Sequence, residues 1–342
     1  MQKNNFDFLR FWFALIVVLV HTYELSGYIR PLNYLAYLDS FIAVAGFFII
    51  SGFLITRSYS WSKNVTEYLK KRARRLLPAY LFIILICAVG MSSISILKIN
   101  AYFSESALYK YILCNFTFLN FLQPCLPGVF NNNSMCAING SLWTIKIEVS
   151  FYIILPILYH YINKSKKKFL FLISMYVLAI VYNFMLYKAF QNSTNKSHLY
   201  FILTHQLPSL MPYFIAGMTL HFYFDEIMKF RKKLILIALP FFWGEYLFNY
   251  EVFRPIALAI IVFYLAYDFK IFNNWGKFGD FSYGIYLFHF PIIQIFVYYG
   301  FFKKFNPSAV LLVVLLLVLT AAYLSWNLLE KRFLKRAHIH NN

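Results

Sequence analysis

Charge is scarce in this sequence. Charged residues are 13% of 342, about half the ~25% of an ordinary soluble domain. Against this, 61% of residues are hydrophobic and the mean hydropathy is +0.60. A soluble domain with a large core is excluded, and the pattern predicts an all-α, polytopic membrane protein. Familiar catalytic spacings are missing as well. There is no zinc-ligand spacing, no P-loop and no G-x-S-x-G. No metal is therefore expected, and a serine-nucleophile hydrolase has no support. Internal repeats, heptads and a second soluble domain are also lacking, so residues 1–342 are expected to form one transmembrane domain. The first apolar run is not followed by a small-residue cleavage site, so it reads as a retained span.

What charge there is has one dominant sign. The 32 Lys and Arg outnumber 13 Asp and Glu, for a net charge of +19. Such an excess invites a nucleic-acid reading, but placement decides. The basic residues lie in short loops between apolar runs, which is membrane topology, and no nucleic-acid partner is expected. Ten segments can carry a spanning helix: 7–28, 39–57, 76–97, 142–162, 168–188, 203–223, 234–249, 252–269, 281–301 and 308–329. The seventh and eighth are the weakest, with room for a tilted or re-entrant pair instead. With both termini cytoplasmic, inside basic residues outnumber outside ones by roughly three to one, as the positive-inside rule requires. The long loop of residues 100–141 then falls outside. It carries Cys114, Cys125 and Cys136. An oxidising compartment permits one disulfide there; the sequence does not pick the pair, and unbonded cysteines fit equally. Cys87 reads as core. The tail histidines, His338 and His340, read as solvated.

The chain is organised around residues 6–23, FDFLRFWFALIVVLVHTY. Arg10 and His21 interrupt this apolar run. On a helix they are eleven residues apart, roughly 16 Å, about half of a bilayer's hydrocarbon core. An ionisable residue at that depth is a functional hypothesis by default. His21 reads either as a general base or as a structural histidine bonded to a neighbouring helix. Glu148, in SLWTIKIEVSFYIILP, is the one carboxylate of the fourth span, at a depth close to that of His21. It fits a carboxylate that orients His21 and stabilises its imidazolium. It also fits a structural bridge to a basic residue on another helix. Lys146, two residues away, does not face it. In EYLKKRARRLLPAY, residues 67–80, Arg72 and Arg75 share a helical face at i, i+3. They suit a small polyphosphate-bearing cofactor or anionic lipid heads, and Arg10 lies on the same side. His205 and His289 fall within spans; His160 and His221 fall at cytoplasmic span ends. Ser51-Gly52, in FFIISGFLI, permits close helix approach.

These stretches resemble a known family in order from residue 6 to about 291. FDFLRFWFALIVVLVH is similar to its first-span Leu-Arg, small residues, then His. FFIISGFLI is similar to its Phe-Phe-x-x-Ser-Gly-Phe-Leu-Ile segment, and KRARRLLPAY to its Arg-x-x-Arg motif followed by Pro and Tyr. SLWTIKIEVSFYIILP resembles its Ser-Leu-Trp-Ser-x-x-Val-Glu-x-x-Phe-Tyr-x-x-x-Pro segment. FSYGIYLFHFPI resembles its late Ser-Tyr-x-x-Tyr-Leu-x-His-x-Pro segment. The family is membrane acyltransferase family 3, which includes bacterial O-antigen, peptidoglycan and exopolysaccharide O-acetyltransferases.

The resemblance implies ten spans and transfer of an acyl group, usually from cytoplasmic acetyl-CoA, to a sugar hydroxyl outside. It carries roles onto His21, Arg10, Arg72 and Arg75, and less firmly onto Glu148 and Ser51; His21 would deprotonate the sugar hydroxyl or take the acyl group itself. Ser51, Trp143 and Tyr152 are taken as substrate-binding positions. Phe11 and Trp12 depart from the family's small residues, Lys146 interrupts the fourth-span motif, and Val149-Ser150 replaces the common Glu-Gln. The expected form is stand-alone, without the extracellular hydrolase-like domain of some members, in a bacterial inner membrane. The acceptor is a cell-surface glycan or its lipid-linked precursor. The competing readings are a transporter or flippase for a lipid-linked sugar or small anion, for which no inverted repeat is found, and a non-catalytic component of a larger system. The oligomeric state is not legible.

Overall fold

The computed structural model describes residues 3–191, 198–248 and 251–334. Lys196, His338 and His340 lie outside the described residues, as does most of the turn at 249–251. The described chain is helical. Its elements are α1 (Phe6–Leu25), α2 (Ser40–Ser60), α3 (Val65–Gly90), α4 (Ile99–Ser104), α5 (Ser106–Phe116), α6 (Trp143–Lys164) and α7 (Lys168–Gln191). There follow α8 (His198–Thr204), α9 (Leu207–Phe222), α10 (Phe224–Phe248), α11 (Arg254–Asp268), α12 (Ser282–Tyr298), α13 (Phe301–Lys304) and α14 (Pro307–Ser325). No strand occurs among the described residues; an isolated bridge pairs Cys125 with Ala137.

Each of the ten expected segments falls on a helix, but not each helix is a span by its own length. Among the described residues, six stretches are long and apolar enough: Phe6–Leu25, Arg30–Ser60, Val65–Ser93, Gly140–Lys164, Lys168–Gln191 and Pro307–Leu334. A seventh is added if Arg254–Asp268 and Lys270–Phe278, bent by 67°, are one span. α9 and α12 have 16 and 17 residues, short of the ~20 that cross a bilayer unaided. α10 opens on Asp225, Glu226, Lys229, Arg231, Lys232 and Lys233. One expectation is corrected. His205 is not inside a helix, because α8 ends at Thr204 and the chain turns before α9 starts at Leu207. Its Nδ1 lies 3.2 Å from the Thr204 hydroxyl.

The chain forms two compact units. The first contains residues 1–10, 44–69 and 147–277. Within it, α2 and α9 meet at two glycines. A Cβ on Gly52 would lie 2.2 Å from the Phe214 carbonyl oxygen, and one on Gly217 would lie 2.1 Å from that of Ile49. The small-residue pair read from the sequence thus serves backbone contact. Phe151 stacks on Phe214 at 3.9 Å, and Phe53 packs among Phe6, Phe224 and Phe263. The Asn5 amide donates to the carbonyls of Leu265 and Phe269 at the end of α11, which lack helical partners. Arg231 binds Asp268 at 2.6 Å, joining α10 to α11.

The second unit contains residues 11–43, 70–146 and 278–342. α12 lies against α14, with Gly284 placed so that a Cβ would meet Ala322 Cα at 2.8 Å. Asn306 caps α14 by accepting from the backbone of Ser308 and Ala309, with Pro307 next to it, the pairing that best starts a helix. The Tyr80 hydroxyl donates to the Asn115 carbonyl and that of Tyr102 to Ala88, each at 2.8 Å, tying α3 to the short helices of the loop. Trp12, one departure from the family pattern, is 51% exposed on α1 and so stands apart from the core. Replacing Gly52 by valine forces α2 from α9 and is expected to cost about 1–3 kcal/mol. A thermal melt of the purified protein in lipid or detergent reads this as a clear drop in Tm; an unchanged melt contradicts the contact.

Candidate functional site

The site is built on α12, SYGIYLFHFPIIQIFVY. Residues 284–291 of this helix are all buried, as expected of a helix apolar on every side. Pro291 has no N–H, so the Leu287 carbonyl loses its helical donor. Asn139 supplies a replacement, its amide donating to Leu287 O at 2.8 Å. Its own oxygen accepts from the Ser141 hydroxyl at 2.6 Å. The Tyr286 hydroxyl lies 2.7 Å from the Thr144 hydroxyl and donates to the Ser141 carbonyl at 3.2 Å. Gly140 must be small, since a Cβ there would stand 2.7 Å from the Phe290 ring. Residues 139–144 thereby fix the stretch of α12 that carries His289.

His289 is fully buried. Its Nδ1 lies 2.8 Å from the Tyr286 carbonyl and 3.3 Å from that of Ile285. Its Nε2 lies 2.8 Å from Nδ1 of His21. The rings are nearly parallel, 14° apart, with centroids 5.1 Å apart, and Phe290 meets His21 edge-on at 5.6 Å. His21 is part-buried. Its partner was missed in the sequence, although the rule that singled out His21 applies to His289 too.

Arg72 and Arg75 lie on α3, part-buried. The Arg75 fork binds Asp280 at 2.5 Å and Glu330 at 3.1 Å. The Glu330 side chain is wholly buried on a π-helical turn, Trp326–Glu330, that prolongs α14. The Ser325 hydroxyl donates to it at 3.0 Å. Asp280 also accepts from the Ser282 hydroxyl at 2.5 Å, at the start of α12. Trp326 and Tyr283 lie beside the guanidinium, at 5.5 and 5.9 Å. Arg75 is thus a clamp joining α3, α12 and the end of α14. Its two carboxylates are 205 and 255 residues away in sequence, beyond the reach of any local pattern.

The remaining expected residues lie in the first unit, except Trp143. Arg10 pairs with Asp7 on α1. Ser51 is part-buried beside Gly52. The Tyr152 hydroxyl donates to Glu148, one turn along α6. Trp143 is part-buried at the start of α6, and the Lys146 ammonium sits 4.8 Å over the Phe121 ring. The structure therefore pairs His21 with His289 and Glu148 with Tyr152, and places Arg72 beside Arg75 on one helix. In the loop, Cys125 and Cys136 are bonded and Cys114 is a free thiol. Buried Gln294 of α12 donates to the carbonyls of Met135 and Ala137 at 2.7 and 2.8 Å and accepts from Asn133 at 2.8 Å, tying the disulfide loop to α12. No group of three metal-ligating side chains occurs among the described residues.

Removing Arg75 leaves two carboxylates facing each other in a buried place. Arg75→Met is expected to destabilise the protein by about 3–5 kcal/mol, and adding Asp280→Asn with Glu330→Gln to recover most of the loss. Thermal melts of the two variants test this; an Arg75→Met protein that melts like wild type contradicts the clamp.

Comparison with known proteins agrees with the resemblance read from the motifs. The acyltransferase domain family matches residues 3–327. An O-acetyl transferase of Shigella phage Sf6 is 28% identical, the match covering 98% of each chain. Nodulation protein 10 of Rhizobium leguminosarum bv. viciae is 26% identical, over 87% of this chain and 85% of its own. O-acetyltransferase OatA of Staphylococcus aureus is 26% identical over 86% of this chain, which spans about half, 53%, of that protein. No solved structure matches.

Proposed function

Because the chain belongs to membrane acyltransferase family 3, and is therefore an acyltransferase rather than a transporter, we propose that it moves an acetyl group from cytoplasmic acetyl-CoA to a hydroxyl of a cell-surface glycan or its lipid-linked precursor. The observation that carries this reading is the pairing of His21 with His289 of α12, His21 lying on α1 eleven residues beyond Arg10. Relatives named O-acetyl transferase and O-acetyltransferase OatA support acetyl as the group and oxygen as its acceptor atom.

In this reading His21 is the general base. It takes the hydroxyl proton as the oxygen attacks the thioester carbonyl, then returns it to the departing thiolate. Arg72 on α3 receives the donor's phosphates through charge-assisted hydrogen bonds, and Arg10 on α1 is a further candidate for donor binding. Arg75 already holds Asp280 and Glu330, so it contributes to donor binding chiefly by keeping α3 in place. The roughly 16 Å rise from Arg10 to His21 suits a donor with phosphates at one end of a long arm and a thioester at the other. Glu148, bonded by the Tyr152 hydroxyl, remains a second candidate for a catalytic role, and Ser51, Trp143 and Tyr152 are each candidates for binding the acceptor. The bonded Cys125 and Cys136 support an oxidising side for the long loop and so an outward-facing acceptor end, in a bacterial inner membrane.

The test uses purified protein in lipid, labelled acetyl-CoA and a glycan acceptor. His21→Ala is expected to lose about 10²–10⁴-fold in kcat. Arg72→Ala is expected to raise KM for acetyl-CoA about tenfold or more with kcat little changed, the loss of a charge-assisted hydrogen bond. Transfer undiminished in His21→Ala contradicts the assignment.

A further inference from the structure

We propose that His289 is the positioning residue for His21, fixing the ring hydrogen of His21 on Nδ1 and leaving the Nε2 lone pair as the base. The proposal deepens the reading of His21 above and rests on it. It follows from counting hydrogens along one chain of contacts. A backbone carbonyl only accepts, and two of them, Tyr286 and Ile285, face Nδ1 of His289 at 2.8 and 3.3 Å. That nitrogen carries the hydrogen, because a bare Nδ1 would set its lone pair against two carbonyl oxygens at a fully buried position, leaving all three acceptors without a donor there. A neutral imidazole has one N–H, so Nε2 of His289 is an acceptor. It lies 2.8 Å from Nδ1 of His21, which must be the donor. His21 then has its second nitrogen, Nε2, bare.

The carbonyls at the root of this chain are held in place for reasons already described. Pro291 opens the helix at Leu287, Asn139 closes the gap, and Gly140 lets the loop lie against Phe290. The arrangement does for His21 what a carboxylate does in a hydrolase triad, fixing tautomer and ring orientation, but with neutral groups, which spares the cost of a buried charge. During transfer the acceptor hydroxyl gives its proton to Nε2 of His21 as its oxygen bonds to the thioester carbon. The imidazolium formed keeps donating from Nδ1 to His289, and the two backbone carbonyls stabilise the spread positive charge. When the carbon–sulfur bond breaks, the thiolate takes the Nε2 proton, and the pair returns to its starting state.

Two variants and a spectrum test it. His289→Leu removes the acceptor and is expected to lower kcat about 100-fold while KM for acetyl-CoA stays near wild type. His289→Gln, whose amide oxygen reaches the place of Nε2, is expected to recover most of that loss. In ¹⁵N spectra of histidine-labelled protein in lipid, the His21 signals, assigned by their loss in His21→Ala, are expected to show a protonated Nδ1 and a bare Nε2. In His289→Leu the hydrogen is expected to move toward Nε2. A wild-type His21 protonated on Nε2 overturns the proposal, as does a folded His289→Leu protein with wild-type kcat. The spectrum needs no turnover. Failure of acetyl transfer with the expected tautomer present would count against the function, and activity that depends on His21 but not His289 would count against this inference alone.

Discussion

Two imidazole rings facing each other inside an apolar helix bundle leave little freedom for their hydrogens. Once the carbonyls of Tyr286 and Ile285 claim the outer nitrogen of His289, the contact between His21 and His289 has one arrangement that satisfies every group. Much of the second unit works to hold the helix that makes this contact. At its start, Asp280 binds both Ser282 and Arg75. In its middle, the amide of Asn139 takes the carbonyl freed by Pro291. Toward its far end, Gln294 gathers the loop closed by the Cys125 and Cys136 disulfide. Short as it is, α12 is fixed at three points.

The polar groups of this unit are arranged so that few charges are buried unpaired. Where a guanidinium enters, two carboxylates meet it, and the deeper of them accepts from Ser325 as well. Where the chemistry is proposed to occur, the groups are neutral. That division makes physical sense in a membrane, where an uncompensated charge is costly. A histidine pair can acquire and release a proton in passing without a standing ion in the span.

The membrane class and the helical positions were legible in the sequence because apolar length is a local signal, and an ionisable residue at depth marked His21 as a candidate. The close approach of α2 and α9 was foreseen at Ser51-Gly52, since small residues serve such contacts. His289 was visible but given little weight, as a histidine in a span has no mark that distinguishes a partner from packing. The partners of Arg75 were not visible, because Asp280 and Glu330 reach it only through the folding of three distant segments. Which cysteines bond was also a matter of geometry; two at 125 and 136 come together while Cys114 sits on a separate helix. His205 was misplaced because apolar residues flank the short turn between α8 and α9 on both sides.

The most direct test of the account is a structure of the protein in lipid with a non-hydrolysable acetyl-CoA analogue. The account predicts the analogue's phosphates at Arg72 and its thioester carbonyl facing the Nε2 side of His21, with room for an acceptor oxygen within about 3.5 Å of both. His289 should remain bonded to Nδ1. An analogue seated with its thioester away from His21, or a His21 ring turned so that Nε2 meets His289, would contradict it.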